Sequence, residues 1–223
     1  LITTLRVKPN TVKVDIPFMI GATVVMIFWG MILEKLTRLI GIIFLLALFS
    51  YMGYLMWYSR HTDTAEESDE IKDLKLWLIP IYIIGGVAAI IIGSRLAVGG
   101  ASNVAKAFGI SDRVIGLTIV ALGTSLPELF TSVTAARKGS ADIAIGNIVG
   151  SNIFNILFIL GMTSVIIDLP YITPETSFVV DGFVALAAAV LLLILVAKDK
   201  KLGKAGGIVM LLGYAAYFVY LLN

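Results

Sequence analysis

The chain has 223 residues, of which 59% are hydrophobic, and its mean hydropathy is +0.98. This composition is more apolar than that of a soluble domain and indicates a membrane protein. The chain has no cysteine, which excludes disulfides and thiolate metal centres, and its one histidine, His61, lies in a polar stretch. A histidine-based metal centre is therefore excluded, and we expect no nucleic-acid partner.

Seven apolar segments follow one another along the chain, and most reach the roughly 20 residues that a membrane-spanning helix needs. They are 16–33, 39–59, 76–99, 113–136, 142–166, 177–197 and 205–222. Backbone polar groups in lipid must be hydrogen-bonded internally, so all seven are predicted to be helices. A polar, acidic linker at 61–75 separates a two-helix part, 1–60, from a five-helix part, 76–223.

The basic residues are unevenly divided between the two sides of the predicted membrane. Twelve of the 17 Lys and Arg residues lie on the side of Leu1 and of the 61–75 linker, and five lie on the other. Because positive residues favour the cytoplasmic side, we expect Leu1 and the linker in the cytoplasm and the C-terminus outside the cell membrane. Arg95, near the end of the third segment, is expected to extend to the membrane interface rather than to bind a substrate.

Residues 15–54 recur as 181–220 without a gap when the chain is shifted by 166 positions. The matched pairs include Asp15 with Asp181, Gly41 with Gly207, Tyr51 with Tyr217 and Tyr54 with Tyr220. The first copy starts on one side of the membrane and the second on the other, and such inverted repeats are typical of secondary transporters. The second copy follows three more helices and the first follows none, so we expect roughly 80 residues, with a sister motif, to be absent.

The fourth segment contains GTSLPE, in which Gly123 and Pro127 should break the helix beside Glu128. Pro127 has no N–H to donate to the carbonyl of Gly123, so the helix is expected to open at 122–124 and to free its carbonyls. A carboxylate inside the membrane costs at least ~2.5 kcal/mol and usually marks an ion path. The predicted cation ligands are the Glu128 carboxylate, the Thr124 carbonyl and the Ser125 hydroxyl. The alternative is a kinked helix with a protonated, structural Glu128.

The fifth segment presents a polar stripe on one helical face. Asn147, Ser151 and Asn155 follow at intervals of four residues, and Asn152 lies beside them. The GxxxG sequence at 146–150 permits close approach of a neighbouring helix. Hydrogen bonding between helices is the alternative role for the stripe. All these ligands are oxygens, which suit hard cations such as Ca²⁺, Na⁺ or Mg²⁺, and a single deep carboxylate leaves a divalent ion half neutralised.

Residues 115–161, IGLTIVALGTSLPELFTSVTAARKGSADIAIGNIVGSNIFNILFILG, resemble the second α-repeat of the cation/calcium exchanger superfamily, here at about 113–166. The prokaryotic sodium/calcium exchanger-like members are the most similar. The resemblance implies an all-α polytopic membrane protein with an inverted-repeat (5+5) fold and two discontinuous core helices. This chain would hold about seven of the ten transmembrane helices of that fold, the fourth to the tenth. The helix at 76–100 would slide against the core during transport. The implied function is Ca²⁺/cation antiport by alternating access, with Na⁺ or H⁺ as the coupling ion or with K⁺-dependent exchange.

The resemblance also implies roles for individual residues. Glu128 corresponds to the central acidic ligand, Thr124 and Ser125 to the ligands beside it, and Ser151 to a hydroxyl of a Na⁺ site. Asn155 stands where some members have aspartate, and this departure leaves the choice between Na⁺ and H⁺ open. We expect Asn147, Asn152 and Gly123 to surround these ligands, with no cofactor. The expected partners are Ca²⁺, a monovalent cation, the lipid bilayer, and either the missing N-terminal core repeat or a second copy of the chain.

Three other classes of function compete with antiport. A fragment or half-unit that does not transport would assemble as a dimer and present two Glu128 side chains to each other. An intramembrane enzyme would need Ser125 or Ser151 as a nucleophile, but no His or Lys base lies near them in the sequence, so we do not expect an enzyme. A simple channel is disfavoured because broken helices within an inverted repeat are typical of transporters.

Overall fold

The computed structural model describes residues 4–62, 77–110, 112–173 and 177–222. The α-helices in these ranges are α1 Ile16–Leu33, α2 Arg38–His61, α3 Leu78–Ala107, α4 Asp112–Ile115, α5 Ala121–Thr124, α6 Leu126–Arg137, α7 Ala141–Phe154, α8 Gly161–Ile166, α9 Val179–Ala197 and α10 Lys204–Leu222. Wider π-helical turns occupy Thr11–Asp15, Gly116–Val120 and Asn155–Leu160. The strands are β1 Leu5–Arg6, β2 Lys35–Leu36, β3 Leu169–Pro170 and β4 Lys201–Leu202. Most of the predicted acidic linker lies outside the described residues.

Six helical runs in the described ranges are long and apolar enough to cross a membrane. They are Thr11–Leu33, Arg38–His61, Leu78–Ala107, Ala141–Ile166, Val179–Ala197 and Lys204–Leu221. The bent pair Thr118–Thr124 and Leu126–Arg137 makes a seventh if its two halves form one span. These seven runs coincide with the seven predicted segments, so the prediction of a polytopic all-α membrane protein is confirmed.

The chain divides into two compact units. The first comprises Leu1–Tyr58 and Thr131–Tyr217, and the second comprises Ser59–Phe130 and Phe218–Asn223. Helices α1 and α2 therefore fall in the same unit as α7, α8 and α9, although about 80 residues or more separate them in the sequence. The predicted division at the 61–75 linker remains a prediction.

The first unit has a continuous apolar core. Its fully buried side chains include Ile16 of α1, Ile40 and Phe44 of α2, Val149 of α7 and Val196 of α9. Helices α1 and α9 make the most extensive contact in the unit, and α7 packs against α1. Because lipid is as apolar as these side chains, packing between helices rather than exclusion of water holds such a core together.

Two short sheets join each copy of the repeat to the segment that precedes the other copy. β1 pairs antiparallel with β4, where Leu5 lies opposite Leu202, and β2 pairs antiparallel with β3, where Leu36 lies opposite Leu169. The strand before α1 thus meets the strand after α9, and the strand after α1 meets the strand before α9. Helices α1 and α9 therefore run antiparallel, as the inverted repeat predicts.

Ion pairs join loops that the distribution of basic residues assigns to the same side. Lys8, before α1, lies 2.9 Å from Asp142 at the start of α7. Lys35, between α1 and α2, lies 2.6 Å from Asp168 between α8 and β3. The grouping of loops into two sides is therefore consistent with these contacts, while the choice of which side is cytoplasmic remains a prediction.

Tyr171 fills the space between α1 and α9. Its side chain is buried, and a Cβ atom added at Gly30 would lie 2.5 Å from the ring. A Cβ atom added at Gly182 of α9 would meet the Tyr171 hydroxyl and Ile27. Glycine is required at both positions because it leaves room for the ring between two closely packed helices.

Candidate cation-binding site

The helix that contains GTSLPE is broken, as predicted. Helix α5 ends at Thr124, α6 begins at Leu126, and the two halves are bent by 47° at Ser125. Pro127 occupies the first turn of α6, where its missing N–H is tolerated. The break frees fewer carbonyls than expected, because the Leu122 carbonyl still accepts a hydrogen bond of 3.1 Å from the Ser125 amide.

Glu128 lies in the first turn of α6 and is half-buried. The N-terminal end of a helix carries partial positive charge from its unpaired amides, so this position stabilises a carboxylate by about 0.3–1 kcal/mol. The break in the helix therefore creates a favourable place for the acid that follows it. In the sequence, Pro127 just before Glu128 marks this turn as the start of a helix.

Thr124 and Ser125 are exposed at the break. The Thr124 hydroxyl donates a hydrogen bond of 3.0 Å to the Ala121 carbonyl, one turn earlier in the same helix. Thr124, Ser125 and Glu128 thus lie within five residues of one another around one break. An oxygen set of this kind suits a hard cation.

Gly123, expected near the ligands, has a packing role. A Cβ atom at this position would overlap the side chain of Val98 on α3. Helix α3 also packs against α5 and against the π-helical turn Gly116–Val120. The absent side chain of Gly123 therefore allows α3 to approach the backbone of the break directly.

The residues of the polar stripe on the next helix have different hydrogen-bond partners. Asn147 donates hydrogen bonds to the Thr131 and Ser132 hydroxyls of α6, at 2.9 and 3.1 Å. This is the hydrogen bonding between helices that the sequence left open as the alternative. Asn152 and Ser151 donate to the Ile148 carbonyl of their own helix, at 2.8 and 3.0 Å.

Asn155 is exposed and begins the π-helical turn Asn155–Leu160. The second predicted discontinuity therefore takes another form, because Ala141–Ile166 is one uninterrupted run with a widened turn. π-helical turns often occur at functional sites, and another one, Gly116–Val120, comes just before the broken helix. Sequence reasoning missed these turns, since no residue type marks them.

The predicted ligands fall into two groups. Thr124, Ser125 and Glu128 belong to the second unit, whereas Ser151 and Asn155 belong to the first. Each group is ordered on its own helix, and their convergence on one ion remains a prediction. Among the described residues, no three His, Cys, Asp or Glu side chains come together as a metal-binding group.

The family of the chain follows from comparison with known proteins. Residues 78–223 match the model of the sodium/calcium exchanger protein family. The chain belongs to this family. The predicted resemblance to the cation/calcium exchanger superfamily is therefore confirmed, and the family is one of exchange transporters rather than of catalytic enzymes.

Two relatives and one solved structure illustrate the similarity. The chain is 32% identical over 226 residues to the putative antiporter CaxA of Alkalimonas amylolytica, and the match covers 97% of this chain and 70% of that protein. It is 41% identical over 134 residues to the sodium/calcium exchanger MaX1 of Methanosarcina acetivorans, covering 60% of this chain and 38% of that protein. A structure of the sodium-calcium exchanger NCX_Mj, soaked with Na⁺ and Sr²⁺, matches with a TM-score of 0.76 and 30% identity, covering 98% of this chain and 68% of that one.

The chain thus spans about two thirds of the lengths of CaxA and NCX_Mj, and a smaller share of the length of other relatives. It spans 52% of an uncharacterized membrane protein of Methanocaldococcus jannaschii and 53% of the inner membrane protein YrbG of Escherichia coli. The activity of a whole exchanger is therefore a proposal for this chain.

Proposed function

We propose that this chain acts in a secondary active transporter that exchanges Ca²⁺ for Na⁺ or H⁺ by alternating access. The observation that carries the proposal is the 47° break at Ser125, directly before a half-buried carboxylate in the first turn of α6. The positive N-terminal end of a helix favours the Glu128 carboxylate, and backbone carbonyls at the break can replace the water of a hard cation. Relatives named as sodium/calcium exchangers and antiporters support the choice of ions.

Glu128 is the central ligand in this proposal. The carbonyl of Thr124 and the hydroxyl of Ser125 complete its side of the site, and Ser151 and Asn155 contribute from the next membrane-spanning run. Ca²⁺ and the coupling ion share the carboxylate, so one ion must leave before the other binds. This competition couples the two fluxes without any cofactor.

The remaining oxygens must come from outside this chain. Calcium binds six to eight oxygens, which is more than these residues offer. We propose an inverted partner repeat as their source, either in a segment preceding Leu1 or in a second copy. In the membrane, the positive-inside distribution orients Leu1 and the 61–75 linker to the cytoplasm and the C-terminus to the outside.

The test is ion-driven uptake of radiolabelled Ca²⁺ into vesicles that contain the protein. An outward Na⁺ gradient or a pH gradient should drive uptake, and the comparison of the two identifies the coupling ion. Glu128→Gln should abolish uptake, whereas the matched control Asp199→Asn, at an exposed loop position, should leave it unchanged. Normal uptake by the Glu128→Gln variant would exclude this site.

A further inference from the structure

Two carboxylate–tyrosine contacts occupy equivalent places in the two copies of the repeat. The Tyr51 hydroxyl of α2 donates a hydrogen bond of 2.9 Å to the Asp15 carboxylate, just before α1. The Tyr217 hydroxyl of α10 donates one of 2.5 Å to the Asp181 carboxylate in the first turn of α9. Each contact closes the hairpin formed by one helix and the next, either α1–α2 or α9–α10.

The two contacts are alike although the backbone around them differs. Asp15 is the last residue of a π-helical turn, whereas Asp181 is the third residue of a regular α-helix. The first copy also has a second tier, in which Asn10 donates to Asp15 at 3.3 Å and accepts from Tyr54 at 2.6 Å. The carboxylate–tyrosine contact is made in both copies.

The presence of the same contact in both copies of an inverted repeat bears on the transport cycle. In a transporter of this kind, access alternates largely by rigid-body movement of one repeat or bundle against the other. A contact inside one hairpin that both copies make in the same way is expected to move with its hairpin and to persist. The antiparallel course of α1 and α9 places the two contacts toward opposite faces of the membrane.

We propose that Asp15–Tyr51 and Asp181–Tyr217 are two matched locks that stay closed throughout the transport cycle. They are positioning residues rather than ion ligands, and they keep each hairpin rigid on its own side. A hydrogen bond from a hydroxyl to a carboxylate is stronger than one between neutral groups, which suits a permanent contact in a membrane. The proposal rests on the proposed alternating access, because a contact that persists throughout a transport cycle presupposes that cycle.

Double-mutant cycles on the purified protein test the locks without requiring transport. The variants are Asp15→Ala, Tyr51→Phe and their combination, with Asp181→Ala, Tyr217→Phe and theirs for the second copy. Tyr58→Phe is the matched control, because Tyr58 lies on α2 and its ring contacts Tyr54. Thermal unfolding of each variant is measured in saturating Na⁺ and in saturating Ca²⁺.

Each single variant should lower Tm by about 2–8 °C, as expected when a hydrogen bond to a charged group is lost. In each double variant, the loss of Tm should be smaller than the sum of the two single losses. This difference should be the same in Na⁺ and in Ca²⁺, and the same in both copies of the repeat. The control should not change Tm. A coupling that disappears in one of the two ions would overturn the proposal, since that contact would then be a gate.

Flux in vesicles supplies the second measurement. Tyr51→Phe and Tyr217→Phe should leave the apparent affinity for Ca²⁺ on each side within about twofold of the unmodified protein, because a permanent lock does not bias either state. Opposite shifts of affinity on the two sides would again identify gates. If the unmodified protein does not transport but the couplings are equal, the proposed function fails while the locks remain as fixed contacts.

Discussion

Glu34 and Lys200 adopt the same left-handed backbone conformation, with φ of 57° and 49°, and are 166 positions apart. Each presents its carbonyl to the segment that precedes the other copy of the repeat. The Glu34 carbonyl accepts hydrogen bonds from the Tyr171 and Ile172 amides, and the Lys200 carbonyl accepts one from the Val7 amide. The repeat offset therefore holds for the backbone as well as for the sequence.

Left-handed residues with a side chain are strained by about 1–2 kcal/mol, and a β-branched side chain raises the strain. We expect Glu34→Val to lower Tm clearly, whereas Glu34→Gly should leave it nearly unchanged. The same pair of substitutions at Lys200 should behave alike. Thermal unfolding in detergent measures all four, and equal effects of Val and Gly would show that the conformation carries no strain.

Substitution of Gly30 should destabilise the first unit. Gly30→Ala places a methyl group against the buried ring of Tyr171, and overpacking of this kind costs about 1–3 kcal/mol. The matched control is Gly21→Ala on the same helix, because a Cβ atom there meets nothing within 4 Å. Thermal unfolding of both variants is the measurement, and similar Tm values would contradict the packing of Tyr171 against α1.

Substitution of Gly123 should disturb the broken helix. Gly123→Ala forces its methyl group into Val98, so α3 must shift away from the break. We expect a lower Tm and a smaller stabilisation by added Ca²⁺.

Val98→Ala should partly restore both properties in the double variant, because it removes the overlapping atoms. Gly116→Ala, which meets no neighbour within 4 Å, is the control. A double variant no better than Gly123→Ala would disprove the direct contact.

Asn155→Asp tests whether Asn155 faces a bound cation. A second carboxylate near the ion should raise the apparent affinity for Ca²⁺ at least tenfold, or by about 1.4 kcal/mol. Asn152→Asp on the same helix is the control, since Asn152 is exposed and its side chain bonds its own helix. Isothermal titration with Ca²⁺ and Na⁺ measures the change, and equal affinities for the two variants would remove Asn155 from the site.

The Lys35–Asp168 pair predicts a simple pH dependence. The Lys35 ammonium donates a hydrogen bond to Asp168 and thereby holds the pKa of this carboxyl below its usual value. The contribution of the pair to stability is therefore complete above about pH 5 and is lost as the pH falls through the lowered pKa. The Tm difference between the unmodified protein and Asp168→Asn should be constant from pH 5 to 8 and should shrink in more acidic buffer.

Much of the fold could be predicted from apolar length and from rare polar residues. Seven apolar runs predicted the spans, Pro127 predicted the break, and Asp and Tyr at a fixed offset predicted the repeat. The π-helical turns could not be predicted, because they depend on packing and have no residue signal. The four strands of two residues each were missed because they are too short for any alternating pattern.

The candidate site was predicted less completely than the fold. Spacing alone placed Asn147 on the same stripe as Ser151 and Asn155, but it could not reveal that Thr131 and Ser132 of α6 already bind Asn147. The role of Gly123 also depends on Val98, a residue of another helix. Long-range partners of this kind follow from tertiary packing, which a single sequence does not contain.

The two cross-paired sheets have a consequence for biosynthesis. β1 is synthesised well before its partner β4, which follows only after α9 has been made. β2 waits in the same way for β3. Neither copy of the repeat can therefore complete its own ends, and the antiparallel pair α1–α9 must assemble after both helices are already in the bilayer.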